Sequence, residues 1–308
     1  MSYIVQTALE LGFLYSLVAM ALFLSYRILD VADLTTDGCF ILGAAVSVTM
    51  AAAGHPFLAI PASMVAGAVA GFITAFLQTR LGVPSILAGI VTNTGLYTIN
   101  LMVMGWSSNV SLLKTETIFS VFRESGISGE WADGVLAAVI TLIVGILLVL
   151  FLGTHLGLSI RATGDNINMV RASSINPSFT ITVGLCISNA MTALSGAMVG
   201  QYQNSADING GTGIVVIGLA CLIIGETVLG KRSVKKGMIA SIVGSIIYRL
   251  IYAIVLYTKV VPVQGLKLIT AIVVGLAIAF PTIKEWVQFQ KRKSRAKKLW
   301  VRERKGEE

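Results

Sequence analysis

The chain has 308 residues, of which 55% are hydrophobic and only 12% are charged, and its mean hydropathy is +0.83. Soluble domains carry about 25% charged residues, so this composition excludes an ordinary soluble enzyme or binding domain. The formal net charge of +8 does not indicate nucleic-acid binding, because most of it lies between Lys284 and Glu308, where ten Lys and Arg stand against four Glu.

Apolar runs close to 20 residues long recur along the chain, and a helix of that length crosses a hydrocarbon core about 30 Å thick. Strands are disfavoured because in lipid they require a closed barrel and alternating hydrophobicity. The pattern therefore predicts an all-α, polytopic transmembrane bundle with eight to ten spans. We place these spans at 7–26, 39–53, 57–78, 85–105, 134–153, 177–200, 213–229, 238–257 and 266–281.

The first two spans differ from the others. The first lacks the basic region of a signal peptide and contains Glu10, so we expect it to be retained. The second is short and follows a polar stretch that is not expected to face lipid, which consists of Asp30, Asp33, Thr35, Thr36, Asp37 and Gly38. Because irregular backbone persists at membrane depth only where protein or a cavity surrounds it, a broken or re-entrant helix is predicted there.

Basic residues indicate the orientation. The linker 230–237 contains four basic residues and no acidic one, which is typical of the cytoplasmic side, and the linker 154–176 lies two spans earlier. The loop 106–133, with two basic and four acidic residues, is expected outside. We divide the chain into a transmembrane domain, 1–283, and a basic cytoplasmic tail, 284–308, that is expected to contact membrane lipid. The side of the N-terminus stays open.

No catalytic or metal-binding pattern is present. The two histidines, His55 and His155, are far apart, and the three cysteines are scattered through apolar runs. The segment 225–232 matches a P-loop until Arg232, which stands where Ser or Thr would ligate magnesium, and it begins inside a span. We therefore expect no enzyme activity, no metal and no cofactor in this chain.

The cytoplasmic linker carries the most specific pattern. Asp165 is predicted to cap a short helix from Asn166 to about Ser173, and Asn176 to cap the next span, with Pro177 at its first position. A capped helix between two spans suits docking into a partner protein, although ordinary interfacial helices look the same.

This linker, together with the run 184–226, resembles the permease subunits of ABC importers in the branched-chain amino acid and ribose permease superfamily. Ser174 replaces the glycine that this family usually carries before Ile-Asn. The remaining similarity is closest to the subgroup that pairs with tryptophan-type periplasmic binding proteins. The linker positions that match the family pattern are Gly157, Arg161, Ala162, Gly164, Asp165, Met169, Ala172, Ile175 and Asn176.

The resemblance implies a type II-like ABC importer permease in the bacterial inner membrane that works as a homodimer or as a pseudo-dimer with a second permease chain. It implies that a separate cytoplasmic ABC ATPase hydrolyses ATP and that an extracytoplasmic binding protein delivers the solute, an amino acid and by analogy an aromatic one. The alternative is an ion-coupled secondary transporter, with Glu226 or the Asp33/Asp37 pair holding the ion. The residues that the resemblance assigns to the ATPase-coupling helix are Arg161, Ala162, Gly164, Asp165, Asn166, Met169, Ala172 and Asn176.

Polar residues within or next to the spans are candidates for the translocation pathway, because a polar group in lipid is costly and faces a cavity or another helix. The alternative is a structural role, and Glu226 and Arg249 could pair between adjacent spans. The candidates are Asn93, Asn100, Asn189, Gln201, Gln203, Asp207, Glu226 and Arg249.

Overall fold

The computed structural model describes residues 2–112, 115–124, 131–230 and 233–258, and isolated positions beyond 258. By their contacts the residues divide into two units, Met1–Val260 and Val261–Glu308, and the following description concerns the first. Its α-helices are α1 (Ser2–Leu22), α2 (Thr36–Ala52), α3 (Pro56–Thr79), α4 (Ser85–Val103), α5 (Ile118–Glu124), α6 (Ala132–Leu152), α7 (His155–Asp165), α8 (Ile167–Ala172), α9 (Pro177–Gln203), α10 (Ile214–Leu229) and α11 (Val234–Thr258).

Three further elements complete the described part. A π-helical segment, Phe23–Ile28, continues α1, and we call it the π segment. Strands β1 (Asn109–Ser111) and β2 (Ser205–Asp207) pair antiparallel and tie the loop after α4 to the end of α9.

Six helices in the described residues are long and apolar enough to cross a membrane: α1 with the π segment, α3, α4, α6, α9 and α11. Two shorter apolar helices, α2 and α10, coincide with the predicted second and seventh spans. The prediction of an all-α, polytopic membrane protein is therefore confirmed. Most of the predicted ninth span, 266–281, and of the basic tail lies outside the described residues.

Helices α1 and α9 form the centre of the bundle with α2. We compared the most apolar stretch of 18 residues in each span. In α1 with the π segment 78% of that stretch is buried and in α9 67%, against 28% in α4 and 28% in α6. Helices α2 and α9 touch backbone to backbone, because a Cβ added to Gly43 would lie 1.9 Å from the Ala193 carbonyl oxygen, and one added to Gly196 equally close to that of Phe40. Small residues allow such approach in lipid.

The polar stretch before α2 is largely buried, as the sequence predicted, except that Asp30 is exposed and Asp37 is half-buried. After the π segment the chain is irregular until Thr35, and Asp33 is only 4% exposed. The Asp33 carboxylate accepts hydrogen bonds from the Thr35 backbone N–H (2.9 Å) and from Nδ2 of Asn189 (2.6 Å), near the middle of α9. The hydroxyls of Thr35 and Thr74 lie 2.8 Å apart. The first turn of α2 is thus held inside the protein.

Helix α10 begins against the same turn. The Asp37 carboxylate accepts hydrogen bonds from the backbone N–H groups of Gly213 (3.0 Å) and Val215 (2.8 Å). These donors would otherwise be unsatisfied at the start of α10, and a carboxylate is favourable at a helix N-terminus. One side chain therefore joins the beginnings of the two short apolar helices.

Candidate coupling and translocation sites

The predicted coupling linker consists of two helices, α7 and α8, and the start of α9. One face of α7 is buried, with Gly157, Ile160 and Thr163 turned towards the bundle. The Thr163 hydroxyl lies 2.8 Å from that of Thr180 in α9. The linker is therefore fixed to the spans on one side and open on the other.

The predicted cap of the short helix is wrong by one residue. Asn166, not Asp165, precedes α8, and its Oδ1 accepts a hydrogen bond from the Met169 backbone N–H at 3.0 Å. Asp165 is instead the last residue of α7, because the chain becomes extended only at Asn166. The predicted cap of α9 is confirmed, since Oδ1 of Asn176 accepts from the Ser178 N–H at 3.0 Å.

The glycines of the family pattern occupy places where a side chain does not fit. A Cβ on Gly157 would lie 2.2 Å from the Phe151 carbonyl oxygen, and a Cβ on Gly164 only 1.9 Å from that of Ile28 in the π segment. Ser174, where the family usually has glycine, has a φ of 60°, in the left-handed region that glycine adopts most readily. Close packing and backbone conformation explain this part of the pattern.

The open side of the linker combines apolar and charged groups. Met169 is 61% exposed, and Leu158 is half-exposed. Arg161 and Arg171 are also exposed. Of the other predicted coupling residues, Ala162 and Gly164 are half-buried, and four are exposed: Asp165, Asn166, Ala172 and Asn176.

Three of the predicted pathway residues lie around the start of α2. Asn189 donates to Asp33, as described above, and Nδ2 of Asn100 donates to the Gly38 carbonyl oxygen at 3.1 Å. Oδ1 of Asn93 also lies beside Gly38, because a Cβ on that glycine would be 2.5 Å from it. The amide oxygens of Asn189 and Asn100 are buried and accept no hydrogen bond within the described residues.

Gln201 is buried and links three helices at the other end of α9. Its Nε2 donates to Oγ of Ser47 (2.9 Å) and to the Pro56 carbonyl oxygen (3.1 Å), and its Oε1 accepts from the Ile118 N–H (2.9 Å). These bonds use both amide hydrogens and engage the amide oxygen, which indicates a structural role. Gln203 and Asp207, by contrast, are exposed.

Glu226 and Arg249 have neighbours other than those expected. Nε of Arg27 in the π segment lies 3.1 Å from Oε1 of Glu226, and the Arg249 guanidinium stacks 3.6 Å above the Tyr15 ring. The register of α10 and α11 explains the difference. Gly225, which precedes Glu226, packs on the Ala240 carbonyl. Arg249 is nine positions further along α11 (240 to 249), a rise of roughly 13 Å, so it lies too far along the helix to pair with Glu226.

A further buried carboxylate, that of Glu10, was not among the predicted pathway residues. Glu10 is 4% exposed and accepts hydrogen bonds from Nε2 of Gln6 (3.0 Å) and from the Tyr202 hydroxyl (2.6 Å). An acidic residue inside an apolar run is itself a signal, because its burial requires partners. The π segment had no sequence signal that we recognised.

Comparison with known proteins agrees with the geometry. Residues 4–280 match the family model described as branched-chain amino acid transport system / permease component. A tyrosine transport system permease protein of Clostridioides difficile (strain R20291) is 35% identical over 260 residues, which cover 84% of this chain and 85% of that protein. An uncharacterized protein of Rickettsia prowazekii (strain Madrid E) is 32% identical over 280 residues, covering 90% and 97%.

No solved structure matches the chain. The family match nevertheless spans nearly all of the described helices, including the coupling linker and the polar residues around α2. The chain therefore belongs to the permease-component family of branched-chain amino acid transport systems, and it is a multi-pass membrane permease of the ABC transporter class.

Proposed function

We propose that this chain is the membrane-spanning subunit of an ATP-driven importer, and that α7 and α8 dock on a separate cytoplasmic ATPase. The observation that carries the proposal is the two-sided linker. Its inner face is fixed to the bundle through Gly164 and Thr163, and its outer face presents Met169, Leu158 and Arg161. Such a surface transmits a push from a partner because the helices cannot move independently of the spans.

The proposed orientation follows from this docking. With α7 and α8 in the cytoplasm, the loop between α4 and α6 and the sheet β1–β2 lie outside, where a binding protein delivers the solute. The tail 284–308 is then cytoplasmic, next to anionic lipid, and 1–283 forms the permease domain.

The proposed solute is an amino acid, and an aromatic one is the first to test. This proposal is supported by the Clostridioides difficile relative, which is named a tyrosine transport system permease protein and aligns with this chain over 85% of its own length. The family description names branched-chain amino acids, so leucine is the informative competitor.

The proposed pathway lies between two copies of the chain, along α4. Helices α4 and α6 are equally exposed, because 28% of the most apolar 18-residue stretch is buried in each. The mean hydropathy of that stretch is nevertheless only 1.4 in α4, against 3.2 in α6. Helix α6 suits lipid, whereas α4 exposes Thr94 and Thr98 and partly exposes Asn93. A second copy and the solute pathway would cover these polar groups, which lipid would not.

The test is a pulldown of the tagged chain from its native membrane in mild detergent, with the companions identified by mass spectrometry. We expect an ABC ATPase, and we expect Met169→Asp to lower its recovery about tenfold, the equivalent of about 1.4 kcal/mol. Gln203→Ala, an exposed residue at the other end of α9, is the matched control. A chain recovered without an ATPase would refute the importer and favour ion-coupled transport.

A further inference from the structure

The π segment is an unusual element in a buried span. Its six residues continue α1, and the Leu29 N–H donates to the Leu24 carbonyl oxygen at 3.0 Å, the i to i+5 spacing of a π-helix. Such turns are rare and concentrate at functional sites, because they are less stable than the α-helix and need support from their surroundings.

Four elements supply that support. Gly164 of α7 packs on the Ile28 carbonyl oxygen, and Arg27 pairs with Glu226 of α10. Gly184 of α9 and Gly237 of α11 pack on the residues at the two ends, Leu29 and Phe23. The contact with α7 joins backbone to backbone, so no flexible side chain can absorb a displacement of that helix.

The chain after the π segment leads directly to the start of α2. Asp30 has a φ of 55°, a left-handed conformation that costs a residue other than glycine about 1–2 kcal/mol. Asp33 then bonds to Asn189, and Asp37 bonds to the start of α10. One short segment thus runs from Ile28, where α7 makes contact, to the buried first turn of α2.

We infer that the π segment and residues 29–35 form a relay between the ATPase-facing linker and the first turn of α2. Movement of α7 shifts Ile28, breaks the bond between Asp33 and Asn189, and withdraws the first turn of α2 from α9. This inference rests on the proposed function, because it takes α7 as the helix that the ATPase moves. It assigns coupling roles to Gly164, the π segment and Asp33.

Cys39 provides the measurement. It lies in the first turn of α2, is 0% exposed, and packs with Ala70 of α3 and Leu96 of α4, so it will react with a maleimide only when that turn leaves its place among α3, α4 and α9. The other two cysteines, Cys186 and Cys221, are first replaced by alanine. The tagged chain is then purified with its ATPase, and the rate of Cys39 labelling is compared without nucleotide and after trapping with ATP and vanadate.

We expect trapping to raise the labelling rate at least tenfold, and Gly164→Ala to abolish this rise while the ATPase is still recovered. Gly145→Ala in α6 is the matched control, because a Cβ at Gly145 meets only Sδ of Met20 at 3.6 Å, an ordinary van der Waals contact. Asn189→Ala should raise labelling without nucleotide about tenfold, the effect of losing one hydrogen bond to a charged acceptor.

Equal labelling in both nucleotide states would overturn the relay, and so would a full rise in Gly164→Ala or unchanged labelling in Asn189→Ala. Because the Asn189→Ala comparison needs no movement of α7, it remains decisive if the Gly164 variant does not fold. Absence of the ATPase from the purified sample is a separate outcome, which refutes the proposed function and the relay together.

Discussion

Replacing Gly196 by alanine tests the central packing of the bundle. The new Cβ would lie 1.9 Å from the Phe40 carbonyl oxygen and 3.2 Å from the Ala44 backbone nitrogen. Real Cβ contacts to backbone are rarely below about 3 Å, so α2 and α9 would have to separate by roughly 1 Å. Overpacking of this kind costs about 1–3 kcal/mol, and more where the neighbour is rigid backbone.

A loss of about 3 kcal/mol corresponds to a fall in Tm of roughly 6 °C for a chain of this size. The assay is thermal unfolding of the purified chain in detergent, followed by size-exclusion chromatography of the soluble fraction. Gly145→Ala in α6 is the control, since its Cβ would meet only Sδ of Met20 at 3.6 Å, alanine is favoured over glycine in a helix by about 0.5–1 kcal/mol, and Tm should rise slightly. If Gly196→Ala melts at or above the unmodified chain, the backbone contact between α2 and α9 is not real.

Three further predictions use the same preparations. Ser174→Gly should stabilise the chain by up to about 1 kcal/mol, because it relieves a φ of 60°, and an unchanged Tm would contradict that conformation. Asn176→Ala should cost about 1 kcal/mol through loss of the α9 cap, measured against Gln203→Ala as a neutral control. Glu226→Gln should leave solute uptake dependent on ATP, because Glu226 pairs with Arg27 in our structure, whereas a complete loss of gradient-driven uptake would indicate an ion-coupled carrier.

The positions of the spans that lie within the described residues could be predicted from the sequence, because membrane thickness fixes the length of an apolar helix. The break before α2 could be predicted for a related reason, since Asp33 and its polar neighbours cannot face lipid. The cap of α9 was predictable because Asn176 is followed by Pro177, a combination that favours only one helix start.

The interior of the linker was less predictable. Asp165 and Asn166 are both good capping residues and stand next to each other, so propensity does not separate them. Which of the two residues caps α8 depends on where α7 ends. Gly164 packs on Ile28 of the π segment and must remain helical there, so α7 continues at least as far as this glycine. That contact joins residues distant in sequence, and no local pattern records it.

Long-range pairs show the same limit. Glu226 and Arg249 lie on neighbouring helices, but the register that Gly225 and Ala240 impose puts Arg249 too far along α11. Arg27, at the end of an apolar run, becomes the partner of Glu226 only because the π segment turns it towards α10. A hydrophobicity profile specifies which residues are in helices, whereas register is set by individual glycines.

The buried carboxylates also bear on the source of energy for transport. An ion-coupled carrier needs a carboxylate whose oxygens are available to a cation or a proton during the cycle. Glu10 is bound by Gln6 and Tyr202, and Asp33 by Asn189 and a backbone N–H. A coupling ion would have to break these bonds before it could bind, so each site carries an energetic penalty that the ion must overcome. In the proposed importer, an ATPase that docks on α7 and α8 faces no such penalty, because the proposed docking surface around Met169 is already exposed.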